Sequence, residues 1–252
     1  MSSPTDKDNV DSGQGAGAFP ATEWNLILAA SREDSSDGGT ALETLCRQYW
    51  YPVYAHVRHV GYWVEEAKDL TQEFFARLLA HHSLAAADPA RGQFRSFIRA
   101  SLRNFLANEW DRSHTTKRGG GRPCLSMDDL DAEERYAIER SQEASPEVAY
   151  DRAWACMIIE LVLRRMREDY VRSGKEEQFA ILERHVSGGG EDLSCVALAR
   201  QLGLTRSAAK SAAYRFRQRF AMTLRGEIAR TVPRREDIDE EIRQLAAAVA
   251  GG

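Results

Sequence analysis

No stretch of this chain is apolar for long enough to cross a bilayer, and its first residues lack the basic and apolar regions of a signal peptide. That predicts a soluble, cytoplasmic protein. Cysteine is scarce: Cys46, Cys124, Cys156 and Cys195 are the only four in 252 residues, and they lie far apart. This excludes a disulfide framework and any zinc-type spacing, and it fits free thiols in a reducing compartment. The glycine triplets at 119–121 and 188–190 lack the strand-to-helix setting of a phosphate-binding loop. His56 and His59 have no partner at metal-ligand spacing, and the adjacent His81 and His82 would face different directions. Paired carboxylates for acid–base work are not identifiable either. The expectation is a non-enzyme with no cofactor and no metal. Strand-like alternation is missing too, which predicts an all-α fold.

Charge is present but unevenly spread. The net charge of −4 conceals a segment, residues 193–225, that carries seven Arg or Lys and no Asp or Glu. A near-neutral total does not argue against nucleic acid, because a phosphate feels the local field. The segment reads as two short helices around Gly203, with Ser194 and Thr205 as caps offering side-chain oxygens to unpaired amides. At about 100° per residue, Ala209, Ala212, Ala213, Phe216 and Phe220 share one arc of the second helix and should pack inward. Arg206, Ser207, Lys210, Ser211, Tyr214, Arg217 and Gln218 fall on another. That is the pattern of a helix-turn-helix with its recognition helix. The bland alternative is an Arg-rich solvated helix, which usually carries Glu partners that are lacking here.

Residues 1–18 are rich in Ser, Gly and Asp and read as a disordered tail. Residues 19–30 follow as a helix capped by Thr22, then a polar loop at 31–39. Residues 40–60 form a helical segment that Pro52 should kink or divide. Tyr49, Trp50, Tyr51 and Tyr54 concentrate there, a density used more often for packing than for base stacking. Residues 64–81 form a helix whose apolar arc leaves Asp69, Gln72, Glu73 and Ala76 together on the other face, a pattern that by itself means only a solvated surface. A loop at 83–93 leads to a helix over 94–112, with Arg95, Arg99 and Arg103 spaced every fourth residue along the flank of an apolar stripe. Residues 115–145 read as a flexible, largely acidic linker, with a transient helix around 130–141. Ser145 caps and Pro146 opens the next helix, to 173. A short helix at 178–186 precedes the helix-turn-helix, and an acidic helix at 236–249 follows it.

Three of these patterns, in this order, are shared with one family. The chain resembles the extracytoplasmic-function group of bacterial RNA polymerase sigma factors, closest to a planctomycete-like subgroup. Asp69-Leu-Thr-Gln72-Glu73-Phe-Phe75 is similar to its Asp-x-x-Gln-Glu-x-Phe motif. Phe94-Arg-Ser-Phe-Ile-Arg-Ala-Ser-Leu-Arg-Asn104 is similar to its promoter-melting helix, and residues 194–217 to its fourth-domain motif. The resemblance implies two helical lobes, the second and fourth sigma domains, joined by a flexible linker: 19–114 as the first and 146–231 as the second, the latter ending in the helix-turn-helix. Residues 1–18, 115–145 and 232–252 are then tail, linker and an acidic C-terminal extension.

It also implies roles. Asp69, Gln72 and Glu73 would contact core polymerase. Asp88, Arg91, Gln93, Arg95, Arg99, Arg103 and Asn104 would capture and melt the minus-ten element, where a flipped base needs a pocket and nearby cations. Arg206, Ser207, Lys210, Tyr214 and Arg217 would read the minus-thirty-five element in the major groove. The implied partners are bacterial core RNA polymerase and promoter DNA, with an anti-sigma factor or other regulator as a further candidate, and the implied location is the nucleoid. The chain departs from the family pattern in Ser207-Ala-Ala-Lys210, where Gly-Thr-Val-Lys is common, and in its acidic extension. A stand-alone helix-turn-helix regulator and a protein-interaction adaptor remain the alternatives.

Overall fold

The structure, a computed structural model, describes residues 36–80, 93–115, 132–133, 135–137, 145–187 and 195–250. The expected tail, the helix capped by Thr22, the 83–92 loop with Asp88 and Arg91, the Gly-rich part of the linker and the Ser194 cap lie outside those residues. The all-α class holds. In chain order the helices are α1 (Ser36–Val60), α2 (Val64–Ala80), α3 (Phe94–Thr115), α4 (Pro146–Arg172), α5 (Glu176–Ser187), α6 (Cys195–Leu202), α7 (Arg206–Thr231) and α8 (Ile238–Ala250), with a 3₁₀ turn at Arg235–Asp237. No strand occurs among the described residues, and none of their helices is long and apolar enough to cross a membrane.

Two local expectations need correction. Helix α1 starts at Ser36, so residues 36–39, read as loop, are helical despite Gly38 and Gly39. Each glycine disfavours helix by only about 1 kcal/mol, which the rest of a 25-residue helix outweighs. Nor does Pro52 divide the segment; α1 runs through it unbroken. Tyr49, Val53, Tyr54 and Val57 around it are fully buried, and that packing compensates the hydrogen bond proline cannot donate. The aromatic run is thus core. Tyr49 meets Phe94 of α3 edge to face at 5.3 Å, and Trp50 stacks on Tyr54 at 5.1 Å.

Helix α4 is the axis of the molecule. Ser145 caps it by accepting from the Val148 amide at 3.3 Å, and Pro146 occupies its first turn, as its sequence predicts. Its 27 residues span about 40 Å. Its first half faces α1 and α3: the Tyr150 hydroxyl donates to the Arg95 carbonyl at 3.1 Å, and its ring meets His56 edge on. Its second half faces α5 and α7. There Tyr170, Phe179 and Phe216 form a triangle of rings with centroids 5.5–6.1 Å apart, bracing α7 against α4 and α5.

One hydrophobic cluster therefore runs from Leu45 to Leu245. Helix α4 has apolar residues along both halves and buries them against both sets of helices. Two short pieces of the 115–145 segment also pack on the first helices. Residues 132–133 and 135–137 are helical, with Ala132 and Tyr136 buried, and Arg135 lies over the Tyr51 ring at 4.2 Å.

Candidate nucleic-acid interface

The helix-turn-helix folds for local reasons. Gly203 has φ 61°, the left-handed conformation that ends α6, and a side chain there would be strained even though the space is open. Thr205 then caps α7 by accepting from the Ala208 amide at 3.2 Å. Leu198 and Ala199 of α6 are buried with Ala209, Ala212, Ala213 and Phe216 of α7, while Phe220 is half-buried. The small alanines permit close approach of the two helices. The inward face of α7 is the one its periodicity predicts.

The other face is open. Arg206, Ser207, Lys210, Tyr214 and Arg217 are all exposed on the N-terminal half of α7, with Tyr214 61 % accessible. None of these three cations has a carboxylate partner among the described residues, and neither do Arg200 and Arg215. Among the described residues, Arg219 is bound to Asp169 at 2.5 Å and Arg225 to Asp239 at 2.6 Å. Burial opposes the Asp169 charge, but hydrogen bonds from Arg219 and Arg172 outweigh it and hold the carboxyl below its ordinary range. The C-terminal half of α7 also packs into the core, where Leu224, Glu227, Ile228 and Thr231 are buried, with Glu227 paired to Arg165.

The row of arginines on α3 is not uniformly exposed. Arg95 is 5 % accessible and saturated. Its Nε donates to Glu241 Oε1 at 2.5 Å, its Nη1 to Asp151 Oδ1 at 2.6 Å and its Nη2 to Gln244 Oε1 at 2.5 Å. The guanidinium also lies over the Trp154 ring at 4.9 Å. Burial works against its charge, but the Glu241 carboxylate outweighs that and lifts its pKa above the ordinary arginine value. Arg99 is half-buried and donates to the other Asp151 oxygen at 2.6 Å. Arg103 and Asn104 are exposed, and Arg103 has no carboxylate partner among the described residues. Gln93 stands just before the helix, where its carbonyl accepts from Ser96 and Phe97.

The third patch is on α2. Asp69 and Glu73 are exposed and Gln72 half-buried, beside the exposed Ala76, while Phe74, Phe75 and Leu78 point into the core. Glu73 is held by Arg77 one turn on, and Arg77 reaches Glu109 of α3 at 2.6 Å. That bracket fixes the patch relative to α3. At the turn into α2, Gly61 takes φ 112° and Trp63 is 81 % exposed, an aromatic that its place in a turn did not distinguish from a packing residue.

Three His, Cys, Asp or Glu side chains placed to share a metal ion do not occur among the described residues, and Cys46, Cys156 and Cys195 are not joined in disulfides. Comparison with family models, with curated proteins and with solved structures finds no match for the chain.

Proposed function

We propose that this protein is a sigma-type transcription initiation factor, working in the cytoplasm at the nucleoid. The observation that carries the reading is the face of α7: three cations without a carboxylate partner among the described residues, and an exposed Tyr, on one side of a capped helix whose other side is buried. Such a face presents donors to phosphates and base edges without first breaking internal ion pairs. In this account Arg206, Ser207, Lys210, Tyr214 and Arg217 read the upstream promoter element. Helix α3, with Gln93, Arg95, Arg99, Arg103 and Asn104, and the preceding Asp88 and Arg91, engages and opens the downstream one. Asp69, Gln72 and Glu73 dock on core polymerase, which gives an otherwise unremarkable polar patch a partner. The protein does no covalent chemistry here; binding energy opens the duplex, and the reading needs no cofactor.

A second reading, a stand-alone helix-turn-helix regulator, draws support from the core shared by α1, α4 and α7, since one compact body needs no polymerase to organise it. The experiment that separates the two is titration of the chain into core RNA polymerase, alongside the Gln72→Ala, Glu73→Arg double variant. The sigma reading expects tight binding by the native chain and weakened binding by the variant. Absence of any complex with core polymerase favours the regulator.

A further inference from the structure

The proposed function assigns no part to the C-terminal helix α8, yet its acidic first turn, Asp239, Glu240 and Glu241, makes two specific contacts. Glu241, fully buried, takes Arg95 of α3 through both carboxylate oxygens, at 2.5 and 3.1 Å. Asp239, exposed, takes Arg225 of α7 at 2.6 Å. One turn of acid thus engages an arginine on each of the two helices proposed to contact DNA. Gln244, one turn on, adds a third bond to Arg95.

We propose that α8 is an intramolecular latch whose acidic first turn occupies Arg95 and Arg225 in place of DNA phosphates, so that DNA binding through α3 requires α8 to leave. The proposal rests on the assignment of α3 and α7 as DNA-contacting helices.

Two physical features favour a latch over a purely structural cap. A buried ion pair is a poor way to add stability, because the desolvation of both charges cancels much of their attraction, and well-packed apolar residues usually do as well. It is, however, an arrangement a polyanion can compete for: Arg95 finds carboxylate oxygens in one state and phosphate oxygens in the other. Second, the apolar packing of α8 on the body is incomplete. Ile238 and Leu245 are its buried apolar side chains among the described residues, Ile242 and Ala248 are only partly buried, and an open cleft of about 500 Å³ separates part of α8 from Arg99, Val148, Asp151 and Trp154. Arg99 and Asp151 sit at that cleft, so withdrawing Glu241 leaves Arg95 sharing one carboxylate with Arg99. Two cations against one acid, beside Trp154, is a surface suited to a single strand's phosphates and bases.

The test uses the full-length chain and its Glu241→Gln, Asp239→Asn double variant, which removes both charges without deleting the helix. Affinity for a fluorescein-labelled single-stranded oligonucleotide is measured by anisotropy across a salt series. The variant should bind about tenfold tighter, with a salt dependence steeper by roughly one to two counterions. In parallel, amide hydrogen exchange of residues 238–250 in the native chain should speed up when the oligonucleotide saturates it, since coupling between two binding events is reciprocal. Equal affinity of the two chains, or exchange of α8 unchanged by bound oligonucleotide, overturns the latch while leaving DNA binding intact. Should neither chain bind the oligonucleotide or a duplex at low salt, the assignment of α3 and α7 to DNA falls, and the latch with it.

Discussion

Arg58 of α1 grips Glu133 with two guanidinium nitrogens, Nε to Oε2 at 3.1 Å and Nη2 to Oε1 at 2.8 Å, fastening a piece of the connecting segment to the first helices. The Tyr54 hydroxyl donates to the same carboxylate at 2.5 Å, and Arg58 also lies over the Tyr136 ring at 4.9 Å. Both partners are largely shielded, with side chains 16 % and 33 % accessible.

Breaking this grip should be measurable. Glu133→Gln is expected to destabilise the protein by about 1–2 kcal/mol, between the values typical of exposed and buried pairs. Burial opposes the Glu133 charge, but the bonds from Arg58 and Tyr54 outweigh it and keep its pKa below the ordinary 4.5. The stabilisation is therefore complete above the unfolded-state value and lost as pH falls through the lower folded-state value. Urea unfolding at neutral and acid pH should show the native chain losing this increment in acid and the variant showing no such loss. An equal acid response in both would refute the assignment.

His56 titrates in the opposite setting. It is 3 % accessible, and its Nδ1 lies 2.9 Å from the Pro146 carbonyl, which can only accept, so Nδ1 carries the proton of the neutral ring. Burial pushes its pKa below the ordinary 6.5, with the bond to Pro146 resisting. A folded-state value below the unfolded one means that stability is fully present above pH 6.5 and declines as pH falls through the folded-state value. Since this ring joins α1 to the start of α4, mild acid should loosen that junction first. Imidazole NMR titration should give a midpoint below that of a free histidine, and a normal midpoint would contradict the buried placement.

Arg206→Ala and Lys210→Ala should each reduce promoter affinity by roughly 1–3 kcal/mol, selectively against mismatched DNA, if the side chain reads a base. A loss equal on all sequences marks a phosphate contact instead. Arg219→Ala is the contrast. Its guanidinium is committed to Asp169 on the flank toward α4, so competition binding should register little change for it.

What the sequence revealed and what it hid divide along contact distance. Thr205, Gly203 and the alanine face of α7 were legible because caps, turns and amphipathic arcs depend on neighbours within one or two turns. Ser145 and Pro146 were legible for the same reason. The fourfold spacing of Arg95, Arg99 and Arg103 established only a shared flank; what covers Arg95 is a carboxylate 146 residues away. A signal for it did exist. Glu241 falls on the same stripe of α8 as Ile238, Ile242 and Leu245, and a carboxylate on an apolar stripe calls for a buried cation. Pro52 does not divide α1, because core packing around Tyr49 and Val53 holds the helix together across it.

The central claim, that this chain confers promoter-dependent initiation, is met most directly by run-off transcription with purified core RNA polymerase on fragments of the genome that encodes it. The account predicts transcripts from defined start sites only when the chain is added, and their disappearance with the Gln72→Ala, Glu73→Arg variant although α7 still binds DNA. Specific DNA binding by the chain with no transcript under any addition would contradict it.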